Sequence, residues 1–378
     1  MDMSTAPGIE ATTIVPGKSA RDQLRARGVP NSYATRWGQL GPLTSATLWS
    51  SGGQAVLETH RVASGHRTIS GCCLLDGAET AGQACDDRAR WEELIRAVVD
   101  SSPDSPLIKA VSRRTGSSWE EALSACGFVP VGAVGSPLSI EEDCVHGHAR
   151  VRGWVRWGVP ARPVPPYVRQ KTEFTCGPAS VLMAVANASG AAPGQVGHGL
   201  AEEMELWRES TYSLGVGPYG LAASLARRGL AVDLLVTKEG PVVGVTRACV
   251  ATPAVRTAIH DMHAHEAREL GVRDRVGSCE LSDLRDALTE GRSALVLVDL
   301  ETLNGEQTPH WVYVWALVGE HALVHDPWND EQRGETWVET WTQAITLERL
   351  WAAARWTEDE EARAYAIVTP TSLPSLGR

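Results

Sequence analysis

The stretch that decides the fold runs from Gln170 to Met183 and has the sequence QKTEFTCGPASVLM. A polar loop changes there into an apolar run at Cys176, which predicts a helix over residues 176–187 with the cysteine in its first turn. A thiol attacks a carbonyl carbon only as the thiolate, and the unpaired N–H groups at a helix start stabilise that anion. The pattern therefore predicts Cys176 as a nucleophile on a rigid support.

Three further residues supply what a cysteine nucleophile needs. Gln170 lies on the loop before the helix, where its amide can share a developing oxyanion with the Cys176 backbone N–H. His310 opens the apolar run HWVYVWALV, and Asp326 follows the next strand-like run in HDPW. We expect His310 to take the thiol proton and Asp326 to orient the imidazole ring. The sequence thus predicts a Cys176, His310, Asp326 and Gln170 catalytic set.

Each member of this set has a structural alternative. Gln170 alone would be an ordinary exposed glutamine, and Asp326 before a proline would ordinarily begin a turn. His321 and His325 compete with His310 as partners of the carboxylate, although His325 should point away from Asp326 on the strand. The combination of all four residues favours catalysis over these alternatives.

Composition restricts the class of protein. The chain has 378 residues, enough for two domains, and its 43% hydrophobic and 21% charged residues are typical of globular proteins. The net charge of −11, with scattered Lys and Arg, argues against a nucleic-acid partner. No apolar run approaches the roughly 18–20 residues that span a bilayer, and the N-terminus lacks the apolar core of a secretory signal. We therefore expect a cytoplasmic protein with no membrane partner.

The eight cysteines contain no C-x-x-C pair, which argues against a zinc ribbon or a redox motif. Without an export signal we expect them to be reduced, and most of them to be small buried hydrophobic residues. They are Cys72, Cys73, Cys85, Cys126, Cys144, Cys176, Cys249 and Cys279.

Three regions can be separated along the chain. Residues 1–30 have the composition of a flexible tail. Residues 31–150 predict a smaller α/β accessory domain, with short strands near residues 46–49, 55–58 and 72–75 and helices in RARWEELIRAVVDS and SSWEEALSACG. The proline-rich segment PARPVPPYV is an extended lead-in. Residues 151–378 predict an α+β catalytic domain in which an early helix packs on a late antiparallel sheet.

The helices and strands of this last region are predicted from the spacing of apolar residues and from the glycines and prolines that end each element. Helices are predicted over residues 176–187, 200–207, 220–228, 254–270 and 281–288. ALVLVDL at residues 294–300 is typical of a buried strand, and residues 311–318 and 322–324 predict a hairpin.

The motifs together resemble the papain-like cysteine peptidase superfamily, and within it the bacteriocin-processing (double-glycine) group and its stand-alone bacterial members. The chain has Q-x5-CG, GPYGL at residues 217–221, HWV at 310–312 and DP at 326–327. The resemblance covers roughly residues 160–370. It implies Cys176 as nucleophile, His310 as base, Asp326 as orienter and Gln170 in the oxyanion hole. We expect Gly177, Trp311, Tyr219 and Gly220 to contact the substrate.

Two departures limit what the resemblance implies. Leader-cutting double-glycine peptidases are usually fused to a membrane exporter, and no such segment occurs here, so their substrate is not carried over. The first region resembles the C-terminal part of an acetyltransferase fold, but no loop for the pyrophosphate of acyl-CoA is evident. This implies a degenerate domain that serves recognition.

Three functions stay open on the sequence. The first is hydrolysis of an amide or peptide bond through an acyl-thioenzyme. The second is acyl transfer from the same site, for example in a biosynthetic pathway, with a carrier-bound acyl donor. The third is a non-catalytic peptide-binding module. The expected partner is a peptide or a small-molecule acyl substrate.

We expect no cofactor and no metal. His260, His263 and His265 lie close together in IHDMHAHEARELG, but a surface helix rich in histidine explains them better than a metal site.

Overall fold

A computed structural model describes residues 8–370, except residues 77–86, 134–135, 138, 145–146, 192–198, 212–214, 244–251 and 358–360. The chain divides into two compact units. The first unit comprises Met1–Arg162 and Asn329–Thr340, and the second unit comprises Pro163–Trp328 and Trp341–Arg378.

The described strands are β1 (Glu10–Ile14), β2 (Thr44–Ser51), β3 (Gln54–Arg61), β4 (Arg67–Leu74), β5 (Leu107–Ser112), β6 (Val129–Pro130), β7 (Gly132–Ala133), β8 (Ser136–Pro137), β9 (Ser139–Cys144), β10 (Gly147–Trp157), β11 (Leu230–Val236), β12 (Arg273–Val276), β13 (Ser293–Asp299), β14 (Pro309–Val318), β15 (His321–His325), β16 (Gln343–Thr346), β17 (Trp356–Thr357), β18 (Glu361–Ala362) and β19 (Ala364–Pro370). The described helices are α1 (Ala20–Arg25), α2 (Asn31–Trp37), α3 (Arg88–Asp100), α4 (Ser118–Ala125), α5 (Cys176–Ala188), α6 (Leu200–Ser210), α7 (Pro218–Arg227), α8 (Pro253–Glu269), α9 (Leu281–Thr289), α10 (Glu301–Asn304), α11 (Trp337–Thr340) and α12 (Leu347–Ala353). A 3-10 turn covers Glu331–Arg333.

The first unit is α/β, as predicted. Its main sheet has the order β1-β2-β3-β4-β5-β10-β6, with β9 paired to β10 and with β4 and β5 parallel. The amphipathic helices α3 and α4 bury their apolar stripes in a core that includes Trp91, Leu94, Trp119 and Leu123. Ser117 caps α4 by accepting a hydrogen bond from the Glu120 N–H.

Both predicted boundaries of the first domain need correction. The predicted flexible tail holds β1 and α1, because β1 pairs with β2 and places Ile14 in a core with Leu24 and Leu48. The predicted boundary at residue 150 moves to Arg162, because β10 pairs with β5 through its full second half. Strand pairing between distant segments gives no local sequence signal, so neither shift was visible in the sequence.

A second correction concerns Asn329–Thr340, which was predicted to lie in the catalytic domain. The segment belongs to the first unit. There the Arg61 guanidinium binds Glu335 at 2.9 and 2.6 Å, the Lys109 ammonium donates to the Glu339 carbonyl at 2.7 Å, and the Trp337 indole donates to the Val151 carbonyl at 3.0 Å. These buried polar contacts fix the segment.

The second unit is α+β, as predicted. Its sheet has the order β12-β11-β19-β13-β14-β15-β16 and is antiparallel except for the β11–β12 pair. The run ALVLVDL forms the central strand β13, which is buried along its whole length. The predicted hairpin is β14 and β15. All five helices predicted for this region are present, as α5 to α9.

Among the described residues, no helix is both long and apolar enough to cross a membrane. Cys72, Cys73, Cys126, Cys176 and Cys279 are free thiols. Cys85 and Cys249 lie outside the described residues.

Candidate active site

Helix α5 presents Cys176 as its first residue. The helix is apolar on nearly every side, because ten of its residues are buried. It is fixed to β14 by the Ser180 hydroxyl, which donates to the Trp311 carbonyl at 3.2 Å, and by the Asn187 amide, which donates to the Tyr313 hydroxyl at 2.7 Å. The nucleophile candidate therefore stands on a buried helix that is hydrogen-bonded to the strand carrying His310.

The structure brings Cys176, His310 and Asp326 together in one buried row. Nε2 of His310 lies 2.8 Å from Oδ1 of Asp326, and the imidazole also hydrogen-bonds the Cys176 thiol. The three residues are only 7%, 3% and 2% exposed. Since Nε2 faces the carboxylate, Nδ1 is the ring nitrogen left for the thiol.

Burial by itself would raise the pKa of the Cys176 thiol. The charge and hydrogen bond of His310, and backbone hydrogen bonds at Trp311 and Gly177, outweigh burial and hold that pKa below its usual value. Burial would likewise lower the pKa of His310, but Asp326 and Cys176 raise it to about 10. Opposite shifts of this kind favour a thiolate–imidazolium pair at neutral pH.

Asp326 is held by donors from three directions. Its Oδ1 accepts the Trp328 backbone N–H at 3.0 Å, its Oδ2 lies 3.5 Å from the Gln343 amide, and its backbone carbonyl accepts the Tyr167 hydroxyl at 3.0 Å. The two side-chain contacts and the backbone contact fix the position of the Asp326 carboxylate beside His310.

His325 is engaged elsewhere. One ring nitrogen lies 3.0 Å from the Pro165 carbonyl oxygen and the other accepts the Thr342 backbone N–H at 3.0 Å. Both nitrogens are therefore occupied, and His310 is the imidazole that Asp326 binds.

Gln170 lies on the loop before α5 and is 4% exposed. Its backbone N–H donates to the Pro327 carbonyl at 3.0 Å, which joins this loop to the turn after Asp326. Its side-chain Nε2 donates to the Thr172 carbonyl at 2.7 Å. An amide nitrogen has two protons, so one N–H remains for an oxyanion. The catalytic role of Gln170 stays a prediction.

Glu203 on α6 is a residue that sequence reasoning missed. Its fully buried carboxylate accepts the Lys171 backbone N–H at 2.8 Å and the Thr175 hydroxyl. Burial raises the pKa of this carboxyl, which both hydrogen bonds oppose. Glu203 thus ties together the two ends of the loop between Gln170 and Cys176. No signal in the sequence marks a glutamate in the first turn of a helix for this task.

The two glycines predicted to contact substrate lie where the chain packs closely, and their contact with substrate stays a prediction. A Cβ on Gly177 would lie 3.2 Å from Val216 and 3.3 Å from Leu221. A Cβ on Gly220 would lie 2.1 Å from the Ser210 carbonyl oxygen. Close substrate approach and close helix packing both require a small residue, so the sequence could not separate them.

Trp311 and Tyr219 are both buried, and their predicted contact with substrate stays a prediction. The Trp311 side chain is 1% exposed and its indole N–H donates to the Val216 carbonyl at 2.9 Å, so it belongs to the core. Tyr219 is 3% exposed and its hydroxyl donates to Asp274 at 2.7 Å. Tyr219 and Gly220 do line a pocket of about 480 Å³ together with His260 and His263.

The histidine-rich segment forms helix α8. The sequence predicts a surface helix, but α8 is partly buried. His263 is buried, and the His260 ring packs edge-on against Tyr219 with 5.1 Å between centroids. Burial lowers the pKa of both imidazoles. Within the described part of the chain, no group of three or more His, Cys, Asp or Glu is placed to hold a metal ion.

Comparison with known proteins adds the family. The model of the Peptidase C39-like family matches residues 165–369, more than half of the chain. The chain therefore belongs to the Peptidase C39-like family, and the predicted resemblance to bacteriocin-processing cysteine peptidases is confirmed. No curated protein matches the sequence.

Several solved structures match parts of the chain with low TM-scores. A protein from Bacillus anthracis described as a C39-like peptidase is 11% identical, with 55% of this chain and 98% of that chain covered and a TM-score of 0.27. The ribosomal-protein-S18-alanine N-acetyltransferase from Escherichia coli is 10% identical, with 40% and 97% covered and a TM-score of 0.26. The ribosomal-protein-S5-alanine acetyltransferase from Vibrio fischeri is 14% identical, with 32% and 65% covered and a TM-score of 0.23.

Proposed function

We propose that this protein is a cysteine peptidase or amidase that hydrolyses its substrate through an acyl-thioenzyme on Cys176. The observation that carries the proposal is the buried row of thiol, imidazole and carboxylate, in which the pKa of the thiol is lowered and that of His310 is raised to about 10. A binding module gains nothing from a buried ion pair of this kind, whereas a nucleophile requires it.

The residues have defined tasks in this reaction. The Cys176 thiolate attacks the carbonyl carbon, and the oxyanion receives hydrogen bonds from the Cys176 backbone N–H and from the second N–H of Gln170. The His310 imidazolium then gives its proton to the leaving nitrogen as the C–N bond breaks. His310 next takes a proton from water, whose oxygen attacks the thioester carbon; the C–S bond then breaks, so that the Cys176 thiolate is released beside the His310 imidazolium as the acid product forms. Asp326 keeps the ring oriented throughout.

The test is digestion of a mixed peptide library in water enriched in oxygen-18, followed by mass spectrometry. We expect new peptide ends that carry the label, together with a transient covalent adduct on Cys176. The Cys176→Ala variant should give neither. Fragmentation by wild type and Cys176→Ala alike would contradict the proposal. If the products instead carry an added amine, such as hydroxylamine, and no oxygen-18, the reaction is acyl transfer and not hydrolysis.

A further inference from the structure

The first unit contains a pocket that the catalytic chemistry does not use. It measures about 590 Å³ and is partly open to solvent. Its walls come from α2, from one face of β3 and β4, and from the segment Asn329–Thr340. Trp37 and Leu57 supply apolar surface, and the hydroxyls of Thr59 and Ser70, 2.6 Å apart, supply polar surface. All the lining residues belong to the first unit.

Guanidinium groups dominate the charge of this pocket. Arg36, Arg61, Arg113 and Arg333 line it, against the two carboxylates Glu335 and Glu339. Arg61 and Glu335 neutralise each other through their two hydrogen bonds. The net charge of the lining is therefore positive, which favours an anionic ligand.

Glu339 offsets this charge only in part. Its carboxyl is a buried acceptor, bound by the Ser70 hydroxyl at 3.0 Å and by the Thr336 backbone N–H at 2.8 Å. Burial raises the pKa of this carboxyl and so disfavours its charged form. The hydroxyl of Ser70 is directed to Glu339 and not to the arginines.

Arg113 provides a hydrogen-bond donor for an anionic ligand in this pocket. It follows the end of β5, lines the pocket, and has a buried Nη1 for which the described residues offer no hydrogen-bond acceptor. A guanidinium group presents parallel N–H donors that match the two oxygens of a carboxylate or phosphate. Arg333 is ion-paired with Asp330 at 3.1 Å, so its charge is largely offset, whereas Arg36 lies over the Tyr33 ring at 5.2 Å and adds positive charge.

We propose that this pocket binds the oxyanion group of a small ligand, a carboxylate or a phosphate, with Arg113 as its principal hydrogen-bond donor. No residue that lines this pocket takes part in the Cys176 reaction. The proposal is therefore independent of the proposed peptidase activity.

The experiment measures binding to the full chain by calorimetry and by thermal unfolding. Sodium phosphate and sodium acetate are the two probes, and sodium chloride at equal ionic strength is the reference. We expect saturable binding and a saturating rise in Tm with at least one probe, because a ligand that binds only the folded state stabilises it. The tighter probe identifies the tetrahedral or the planar oxyanion as the ligand group.

Two neighbouring arginines give a matched pair of variants. Arg113→Ala should weaken binding at least about tenfold, since it removes a charge-assisted donor. Arg114→Ala removes the adjacent exposed arginine outside the pocket and should bind as wild type does. If Arg113→Ala does not fold, Arg113→Lys keeps the charge without the paired donors and should still bind more weakly. Failure of both probes to bind wild type, or equal binding by the Arg113 and Arg114 variants, would overturn the proposal.

Discussion

Cys176 in the second unit and Cys73 in the first unit are both buried thiols, yet their pKa values move in opposite directions. Cys73 lies on β4 and is 4% exposed, and there burial and the neighbouring Cys72 hold its pKa far above the ordinary value. Cys176 is 7% exposed, but His310 and the backbone donors reverse the effect of burial. Burial alone makes a thiol inert, and a buried imidazole beside it makes the thiol reactive.

Cys279 extends the comparison within the second unit. Burial raises the pKa of this thiol to about 12, although the positive charge of Arg275 lowers it. Burial and the neighbouring carboxylates Asp283 and Glu280 together outweigh the positive charges of Arg275 and Arg363. At Cys176, by contrast, the charge and hydrogen bond of His310 and the backbone donors outweigh burial.

The sharpest way to break this comparison is to remove each thiol in turn. Cys176→Ala should reduce cleavage of any substrate at least about 10⁴-fold, because the acyl-thioenzyme cannot form. Cys73→Ala should leave the rate unchanged and lower Tm slightly, since it only shortens a core side chain. Initial rates and thermal unfolding of both variants check this. Activity that survives Cys176→Ala would place the nucleophile elsewhere.

Removal of the imidazole tests the cause of the difference. His310→Ala should reduce kcat about 10²–10⁴-fold and return the Cys176 pKa toward and above its ordinary value, since only burial would remain dominant. The readout is the pH dependence of thiol alkylation in the variant. His321→Ala, on the same hairpin, is the control and should leave both quantities unchanged. If the Cys176 pKa in His310→Ala equals that in the wild type, His310 is not the group that lowers it.

Loss of the oxyanion donor should have a smaller effect. Gln170→Ala should lower kcat about 10²–10³-fold with little change in KM, because its N–H acts mainly on the transition state. Gln332→Ala replaces an exposed glutamine of the first unit and should have no effect. Steady-state kinetics separates the two parameters. A change in KM alone would make Gln170 a substrate contact instead.

The smallest effect concerns the loop that carries Gln170. Glu203→Ala leaves the Lys171 N–H without its acceptor and removes one acceptor of the Thr175 hydroxyl, which should cost about 1–3 kcal/mol of unfolding free energy. Glu202→Ala, at the exposed neighbouring position, should cost less than about 0.5 kcal/mol. Denaturant unfolding measures both variants. Equal stability of the two would show that Glu203 does not hold the loop.

The sequence predicts those parts of this site that lie on regular elements. The apolar run after Cys176 identifies α5, and alternation and turn residues identify β14 and β15, so His310 and Asp326 were predicted on adjacent strands. Their supporting residues could not be predicted. Tyr167, Glu203 and Gln343 reach the site from the lead-in loop, α6 and β16, and only the folded chain brings them together.

The division of the chain into two units could not be predicted from the sequence either, because it also depends on contacts between distant segments. Residues 329–340 follow Asp326 directly, so the sequence assigns them to the catalytic domain. In the structure these residues belong to the first unit, where hydrogen bonds of Arg61, Lys109 and Trp337 hold them. Contacts between residues more than 180 positions apart leave no periodic pattern.

The central claim is that Cys176 is a thiolate paired with a protonated His310, and the pH dependence of its alkylation tests this most directly. The folded wild-type protein is treated with iodoacetamide across a pH series, and each cysteine is quantified by peptide mass spectrometry. Because the Cys176 pKa is lowered, its reaction with iodoacetamide should reach its plateau at a lower pH than that of an ordinary thiol. Cleavage activity should then fall as the pH rises through about 10, where His310 loses the proton that the leaving group needs.

Cys73 and Cys279 should remain unmodified over the same range in the folded protein, because their pKa values are raised. The account predicts early, selective labelling of Cys176. Labelling of Cys176 that begins only as the pH passes about 8.5, the ordinary thiol pKa, at a rate no greater than that of Cys73, would contradict it.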